Sequence, residues 1–246
     1  MRNLKLLIQY EGTRYKGWQS QDHTENTIQG KLTRVLERMT GERIELKGSG
    51  RTDAGVHAAG QTANFQTETE LSCKEILDYL NTYLPEDIAV LRVEEAAPRF
   101  HSRLCAVRKT YVYRIWNSSV PNVFERKYMY QIEAPLNVER MKEAAGFFRG
   151  THDFRAFCAN KRMKKSTIRT LERIVIEQKG PEVRLLFTGS GFLHHMVRIL
   201  VGTLVEVGLG EREPEEMAAV LESLSRERAG AMAPALGLCL WSVEYQ

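Results

Sequence analysis

Hydrophobic positions in the first quarter of the chain recur with two different periods. From Leu4 to Tyr10 every second residue is apolar or aromatic, which predicts a β-strand. From Ile28 to Met39 apolar residues recur at helical spacing, which predicts a helix that Asn26 caps and Gly41 ends. The chain therefore opens with a strand followed by an amphipathic helix.

The same reasoning completes the first half. Three more strands are predicted, over 43–47, 61–67 and 88–93. Ser72 and Glu75 form a capping box for a second helix, which Pro85 stops. The resulting order β-α-β-β-α-β is the split βαβ arrangement of ferredoxin-like folds.

After a link over 98–106 the pattern repeats. Strands are predicted over 107–116, 168–178, 183–188 and 238–244. Helices are predicted over 138–148 and 193–207, with an additional acidic helix near Pro214. We therefore expect an α+β protein of two ferredoxin-like halves, residues 1–104 and 105–246. They would share a central, mainly antiparallel sheet with helices packed on it and a cleft between the halves.

A glycine-rich stretch from Lys47 to Gln61 interrupts this pattern. Glycine reaches positive φ freely and lets other chain segments approach its backbone, so this stretch predicts a bent, exposed loop holding Arg51, Asp53 and His57. An aspartate beside glycine is often an ordinary turn residue. A dinucleotide fingerprint would need glycine where Asp53 stands, and the stretch has no Gly-Lys-Ser/Thr for a phosphate loop.

Arg198 lies in a predicted helix that is apolar almost all round. The helix should be buried, and a buried guanidinium needs an anionic partner. Glu206 is one candidate, and the side chain could also extend to water at the helix edge. We favour an Arg198–Asp53 pair, because such a pair would keep the carboxylate ionised and orient its oxygens.

Composition limits the classes of function. The 246 residues are 43% hydrophobic and 27% charged, with no apolar run long enough for a membrane span, so we expect a soluble, cytoplasmic protein. The four cysteines are scattered without a Cys-x-x-Cys spacing and should be reduced and mostly buried. Adjacent His194 and His195 on a helix would point about 100° apart, so we expect no metal site.

The net charge is only +4, but the charges are segregated. Residues 96–124 and 154–171 contain no acid, and the second segment carries the basic run from Lys161 to Lys165. Such segments are typical of polyanion-binding surfaces, although a solvated basic face would look the same. A non-catalytic RNA-binding protein, with Tyr111 and Tyr113 as stacking platforms, and a metal-dependent nuclease both remain alternatives at this point.

The segment Gly-Arg-Thr-Asp-Ala-Gly-Val-His, from Gly50 to His57, resembles the signature of the tRNA pseudouridine synthase A family. Further similarities, in order along the chain, are the Trp18 loop, Arg108–Tyr113, His152–Phe154 with Phe157, Phe192–Arg198 and the tail around Leu238. The resemblance implies a cofactor-free enzyme that converts uridine to pseudouridine at positions 38, 39 and 40 of the tRNA anticodon stem-loop. It also implies a homodimer with one tRNA lying across both subunits.

The resemblance also implies roles for individual residues. Asp53 would be the essential aspartate, Tyr111 would stack on the uracil, and Leu238 would pack behind the base. Arg198 would be the basic partner at the site. From its place on the loop beside Asp53 in the sequence, Arg51 is expected to hold a phosphate or a flipped-out neighbouring base, although a solvated loop arginine would look the same. Candidate RNA contacts are Lys161, Arg162, Lys164, Lys165, Arg108, Lys109 and Arg14. No cofactor or metal is expected.

Overall fold

The computed structural model describes residues 1–160 and 162–246; Lys161, one of the candidate RNA contacts, lies outside the described residues. The chain forms two compact units, one made of residues 1–107 with 239–246 and the other of residues 108–238. The division expected from the sequence, after residue 104, assigned the last strand to the second half. In the structure the last strand, from residue 239 onward, belongs to the first unit.

The strands are β1 (Arg2–Tyr10), β2 (Lys47–Gly48), β3 (His57–Thr67), β4 (Ile88–Ala96), β5 (Ala106–Asn117), β6 (Tyr130–Ile132), β7 (Gly150–Asp153), β8 (Ile168–Lys179), β9 (Glu182–Gly189) and β10 (Leu238–Tyr245). The α-helices are α1 (Ile28–Thr40), α2 (Cys73–Tyr83), α3 (Val138–Gly146), α4 (Met196–Gly208) and α5 (Glu216–Glu222). Short 3-10 turns lie at Arg155–Phe157 and Ala235–Gly237. The predicted mixture of helices and strands is confirmed.

In the first unit β1 lies between β3 and β4 and is antiparallel to both. Strand β10 runs parallel to β3, and β2 pairs with β3 antiparallel. The predicted order β-α-β-β-α-β is confirmed for residues 2–96. Apolar residues alternate along β1 because every second side chain faces the core, and Leu4, Leu6 and Ile8 are completely buried there.

The ends of α1 and α2 follow from capping chemistry. The capping box of Ser72 and Glu75 is confirmed, and Gly41 ends α1 in the left-handed region at φ 73°. The predicted cap Asn26 is wrong. Thr27 caps α1 by accepting a hydrogen bond from the Gly30 N–H at 3.2 Å, while the Asn26 side chain donates to the Arg14 carbonyl.

The strand predicted over 43–47 is reduced to the two residues of β2. Helix α1 explains the difference, because its side chains take the backbone groups that a longer strand would pair. Glu37 accepts from the Ile44 N–H at 3.2 Å, and the Gln29 amide donates to the Leu46 carbonyl at 2.8 Å. The apolar pattern of this segment therefore reflects packing rather than strand pairing.

In the second unit β9 pairs antiparallel with both β5 and β8, β8 pairs antiparallel with β7, and β6 is parallel to β5. The predicted elements are present with bounds shifted by a few residues. Strands β6 and β7 were not predicted, because three or four residues are too short to show a period. Both units thus have mainly antiparallel sheets, as the expected α+β class requires.

Helix α4 is the most deeply buried helix described. Twelve of its thirteen residues are buried, as the apolar pattern predicted. It starts at Met196 rather than Leu193, because His195 at its N-terminus has a left-handed φ of 62°. The segment 230–233 runs against α4 and is held by hydrogen bonds to it, including the Gly230 N–H to the Thr203 hydroxyl at 2.9 Å.

We predict that Gly202→Ala destabilises the protein strongly. A Cβ at Gly202 would overlap the carbonyl oxygen of Ala231, so the segment against α4 would have to move. Overpacking of this kind costs about 1–3 kcal/mol. The matched control is Gly146→Ala at the end of α3, where a Cβ would meet no atom within 4 Å. This substitution should be neutral or mildly stabilising. Urea unfolding of both variants measures the difference, and equal stabilities would contradict the packing described here.

None of the helices in the described part of the chain is long and apolar enough to cross a membrane. The expectation of mostly buried cysteines is wrong. Of the four, only Cys158 is buried, Cys105 is exposed, and Cys73 and Cys239 are partly exposed. All four are free thiols.

Candidate active site

Asp53 lies on the loop between β2 and β3, in the first unit. Its carbonyl accepts a hydrogen bond from the Val56 N–H at 3.2 Å, which closes a four-residue turn. Gly55 is the third residue of that turn, with φ 78°, a conformation that glycine adopts without strain. The Asp53 side chain is partly exposed, whereas Thr52 before it is buried. The turn therefore presents a carboxylate at the surface of a fixed loop.

The segment from Tyr10 to Trp18 supports this loop. The Trp18 N–H donates to the Thr52 carbonyl at 3.0 Å, and the Gly55 N–H donates to the Tyr15 carbonyl at 3.3 Å. Although they lie in a loop, Trp18 and Tyr15 are only 1% and 2% exposed. Their large apolar surfaces are buried beneath the loop, where they contribute to its stability.

Two of the four glycines of the predicted loop serve close packing rather than an unusual φ. Among the glycines at 48, 50, 55 and 60, only Gly55 has a positive φ. A Cβ on Gly48 would lie 2.6 Å from the Trp18 ring, and a Cβ on Gly60 would overlap the Trp241 carbonyl. Both positions exclude any side chain because another part of the unit occupies that space.

His57 is not an exposed loop residue, as the sequence suggested, but the first residue of β3 and 5% exposed. Its Nδ1 accepts a hydrogen bond from the Gly12 N–H at 3.0 Å. Since Nδ1 must be unprotonated to accept, this geometry selects the neutral tautomer with its proton on Nε2. His57 thus ties the start of β3 to the segment that supports the Asp53 loop.

Two arginines of the first unit were expected to contact RNA. Arg51 is exposed, and its Nε donates to the Gln19 side chain at 2.9 Å. Arg14 pairs with Asp87 and lies 5.8 Å from the Tyr15 ring centroid. Burial, together with a hydrogen bond to Asp87, raises the pKa of the Tyr15 phenol to about 12. Arg14 therefore belongs to a local cluster, whereas Arg51 is an exposed residue of the loop that carries Asp53.

In the second unit Tyr111 and Tyr113 lie on β5. Tyr111 is 8% exposed, and its ring meets Phe192 edge to face at 4.9 Å. Tyr113 is completely buried and donates to the Pro234 carbonyl at 2.8 Å, and burial raises the pKa of its phenol well above the usual range. Tyr113 therefore cannot stack on RNA, which removes one of the two platforms of the non-catalytic alternative.

Arg198 is 9% exposed on α4. Its Nε donates to the Ala233 carbonyl at 2.8 Å, and its own carbonyl accepts from the Ala233 N–H at 3.0 Å. These two hydrogen bonds with Ala233 fix the position of the Arg198 Nε. Glu206, the acid considered as a partner from the sequence, accepts instead from the Arg212 Nε at 2.6 Å.

The histidine pair differs from the expectation. His194 and His195 precede α4 instead of lying on it, and their ring centroids are 3.7 Å apart at 32°, so the rings stack rather than diverge. The geometric reason given for expecting no metal there was therefore wrong. Leu238, expected behind the base, is 5% exposed at the start of β10.

Some cations of the two acid-free segments form ion pairs with acids from elsewhere in the chain, which the sequence did not suggest. Arg108 pairs with Glu172 at 2.6 Å, and Lys109, its neighbour on β5, is partly exposed. Arg114 pairs with Glu125 and Glu182, and its hydrogen bond lowers the pKa of the Glu182 carboxyl. In the run after Asn160, the described residues Arg162, Lys164 and Lys165 are all exposed. Those three are the better candidates for contacting a polyanion.

Comparison with known proteins identifies the class to which this fold and loop belong. The family profile described as tRNA pseudouridine synthase matches residues 6–104 and 144–246, which includes Asp53, Arg198 and Leu238. A tRNA pseudouridine synthase A from Bacillus sp. (strain KSM-64) is 49% identical over 245 residues, covering 100% of both chains. The Moorella thermoacetica protein of the same name is 46% identical over 243 residues, covering 98% of this chain and 99% of its own.

The chain therefore belongs to the tRNA pseudouridine synthase family. It is an isomerase, and its substrate is uridine in tRNA. The similarity extends over the whole length, because the tRNA pseudouridine synthase A 2 of Clostridium perfringens is 44% identical over 245 residues and covered completely. The resemblance noted from the sequence is confirmed.

Proposed function

We propose that this protein converts uridine to pseudouridine at positions 38, 39 and 40 of the tRNA anticodon stem-loop, with Asp53 as the essential aspartate and without a cofactor. One observation carries the proposal for Asp53. Its loop is fixed by hydrogen bonds to the segment 10–18, yet its carboxylate remains partly exposed. A rigid backbone that presents an accessible carboxylate is what a positioned catalytic group requires.

The reaction breaks the N1–C1′ bond, turns the uracil and joins C5 to C1′. The product has the same atoms as the substrate, because C5 loses a hydrogen to solvent and N1 gains one. A carboxylate can serve this sequence as a nucleophile towards the sugar or the base. It can also remove a proton while stabilising an electron-poor sugar. Each course needs an ionised Asp53 and no change of oxidation state.

The other predicted residues take supporting roles in this proposal. Tyr111 stacks on the uracil while it is detached from the sugar, since aromatic rings commonly hold splayed RNA bases. Leu238 packs behind the base, and Arg51 holds a phosphate or a neighbouring base. Arg198 acts as the cation that keeps Asp53 ionised and oriented. This role for Arg198 is supported by the burial of the residue and by the hydrogen bond from its Nε to the Ala233 carbonyl, which holds the guanidinium in place.

Release of tritium from tRNA labelled at C5 of uridine tests the activity. Incubation in the presence of EDTA separates a cofactor-free synthase, which releases the label, from a metal-dependent nuclease, which is inhibited. Transcripts with uridine replaced by cytidine at 38, 39 and 40, singly and together, locate the targets. Undiminished release from the triple replacement would show that the proposed positions are wrong.

We further propose that the enzyme works as a homodimer with one tRNA lying across both subunits, as the family resemblance implies. The exposed cations Arg162, Lys164 and Lys165 support an RNA path along this basic run of the second unit. Basic side chains that neutralise phosphates release counterions, so binding should weaken steeply as salt rises. Light scattering at working concentration measures the oligomeric state, and a monomer would contradict the proposed assembly.

Neutralising the basic run is predicted to weaken tRNA binding without slowing the chemical step. Replacing Lys161, Arg162, Lys164 and Lys165 with glutamine removes four positive charges and should reduce the salt slope by about one for each phosphate that is no longer neutralised. Filter binding from low to high salt measures the slope. Single-turnover rates at saturating tRNA should stay unchanged, because none of the four is proposed to touch the reacting base.

A matched control removes the same charge elsewhere. Lys31, Arg34 and Arg38 on α1, together with Lys74 on α2, lie outside both acid-free segments. Their replacement by glutamine should leave the salt slope nearly as in the parent protein. If both quadruple variants lose the same affinity, the loss reflects net charge alone and the proposed RNA path is wrong.

A further inference from the structure

Thr52, the residue immediately before Asp53 in the loop, is held through both its side chain and its backbone. Its hydroxyl shares a buried hydrogen bond of 2.8 Å with the Tyr10 hydroxyl, and its carbonyl accepts from the Trp18 N–H at 3.0 Å. Gly17 approaches the same carbonyl so closely that a Cβ there would lie 2.7 Å from it. Thr52 is therefore restrained through both its side chain and its backbone.

Both hydroxyls of this pair belong to buried residues. Tyr10 is 4% exposed and Thr52 is 7% exposed, so neither hydroxyl gains much from contact with water. The Tyr10 ring is itself held, because β1 places it in register with β3 and it lies 6.1 Å from the Trp18 ring. The Tyr10 hydroxyl is thus a rigid point of attachment, and Thr52 is the residue immediately before Asp53.

We propose that Tyr10 and Thr52 are positioning residues, which set the direction of the Asp53 carboxylate through the peptide that joins Thr52 to Asp53. The proposal rests on the role proposed for Asp53. The Trp18 N–H fixes where the Thr52 carbonyl lies, and the Tyr10 hydroxyl fixes the rotation of Thr52 about that point. Together they leave the following residue little freedom, which matters because displacement by about 1 Å can cost on the order of 10²-fold in rate.

The test uses substitutions that remove the hydroxyl contact and keep the shape. Tyr10→Phe deletes one hydroxyl, and Thr52→Val replaces the other with a methyl group. Each should lower the single-turnover rate at saturating tRNA by about 10- to 100-fold while tRNA affinity is unchanged. Thr52→Ser keeps the hydroxyl and should restore most of the rate. The double variant should be no slower than the slower single variant, because both remove the same hydrogen bond.

Thr67→Val is the matched control. Thr67 is a buried threonine at the other end of β3, and its hydroxyl donates to Glu42 at 2.9 Å. This variant should lose stability like Thr52→Val but keep its rate. If Thr67→Val is equally slow, or if the two hydroxyl variants slow the reaction additively, the hydroxyl pair acts through general stability and the positioning proposal is wrong.

Asp53→Asn distinguishes the positioning proposal from the proposal on which it rests, that Asp53 is the essential aspartate. An active Asp53→Asn enzyme would remove the role of Asp53 itself. An inactive Asp53→Asn enzyme together with unimpaired Tyr10→Phe and Thr52→Val variants would overturn only the positioning role. Inactive Asp53→Asn with slowed hydroxyl variants and recovery in Thr52→Ser is the expected result.

Discussion

Asp53→Asn is expected to reduce pseudouridine formation by at least about 10³-fold while tRNA binding and folding persist. The amide has the shape of the carboxylate but neither its negative charge nor its capacity to act as a nucleophile or base. The side chain is partly exposed, and the substitution keeps the Asp53 main-chain carbonyl, which accepts the turn bond from the Val56 N–H. The structural cost should therefore be small.

Tritium release under single-turnover conditions measures the rate, and thermal unfolding checks the fold. Asp22→Asn is the matched control, since Asp22 is an exposed acid of the same unit with no proposed role. It should be fully active. Substantial turnover by Asp53→Asn would show that the essential group lies elsewhere.

Arg198→Met is expected to lower the single-turnover rate by at least about 10²-fold, the usual cost of removing a group that stabilises charge in an active site. Methionine fills much of the same apolar space on α4 but removes the charge. It also leaves the Ala233 carbonyl without the Nε donor that lies 2.8 Å away, so stability should fall by about 1–3 kcal/mol. Loss of rate and loss of stability are therefore both expected.

Two further variants separate these effects. Arg140 on α3 also donates to a backbone carbonyl in the same unit, that of Arg212 at 3.1 Å, so Arg140→Met should lose stability and keep its rate. Arg198→Lys keeps the positive charge and should be faster than Arg198→Met. Equal rates for the lysine and methionine variants would mean that the charge of Arg198 is not what the reaction uses.

Local sequence alone determined most elements of the fold. The period of two in β1, the capping box of α2 and the all-round apolar character of α4 each depend on residues close together in the chain. The family and its activity were also readable from the segment from Gly50 to His57, together with further similarities in order along nearly the whole chain. The comparisons confirm that identification.

Tertiary structure decided how the Asp53 loop is supported. Tyr10 and Thr52 meet across 42 positions of sequence, and no local period signals such a contact. His57 looked exposed because its neighbours are polar and glycine-rich, and Trp18 lies in a loop, yet both are buried where two distant segments pack. Thr27 replaced Asn26 as a cap because the Asn26 side chain is bound to the Arg14 carbonyl. The local sequence shows which partners a polar group could bond, but the tertiary packing determines which of those partners lies within hydrogen-bond distance.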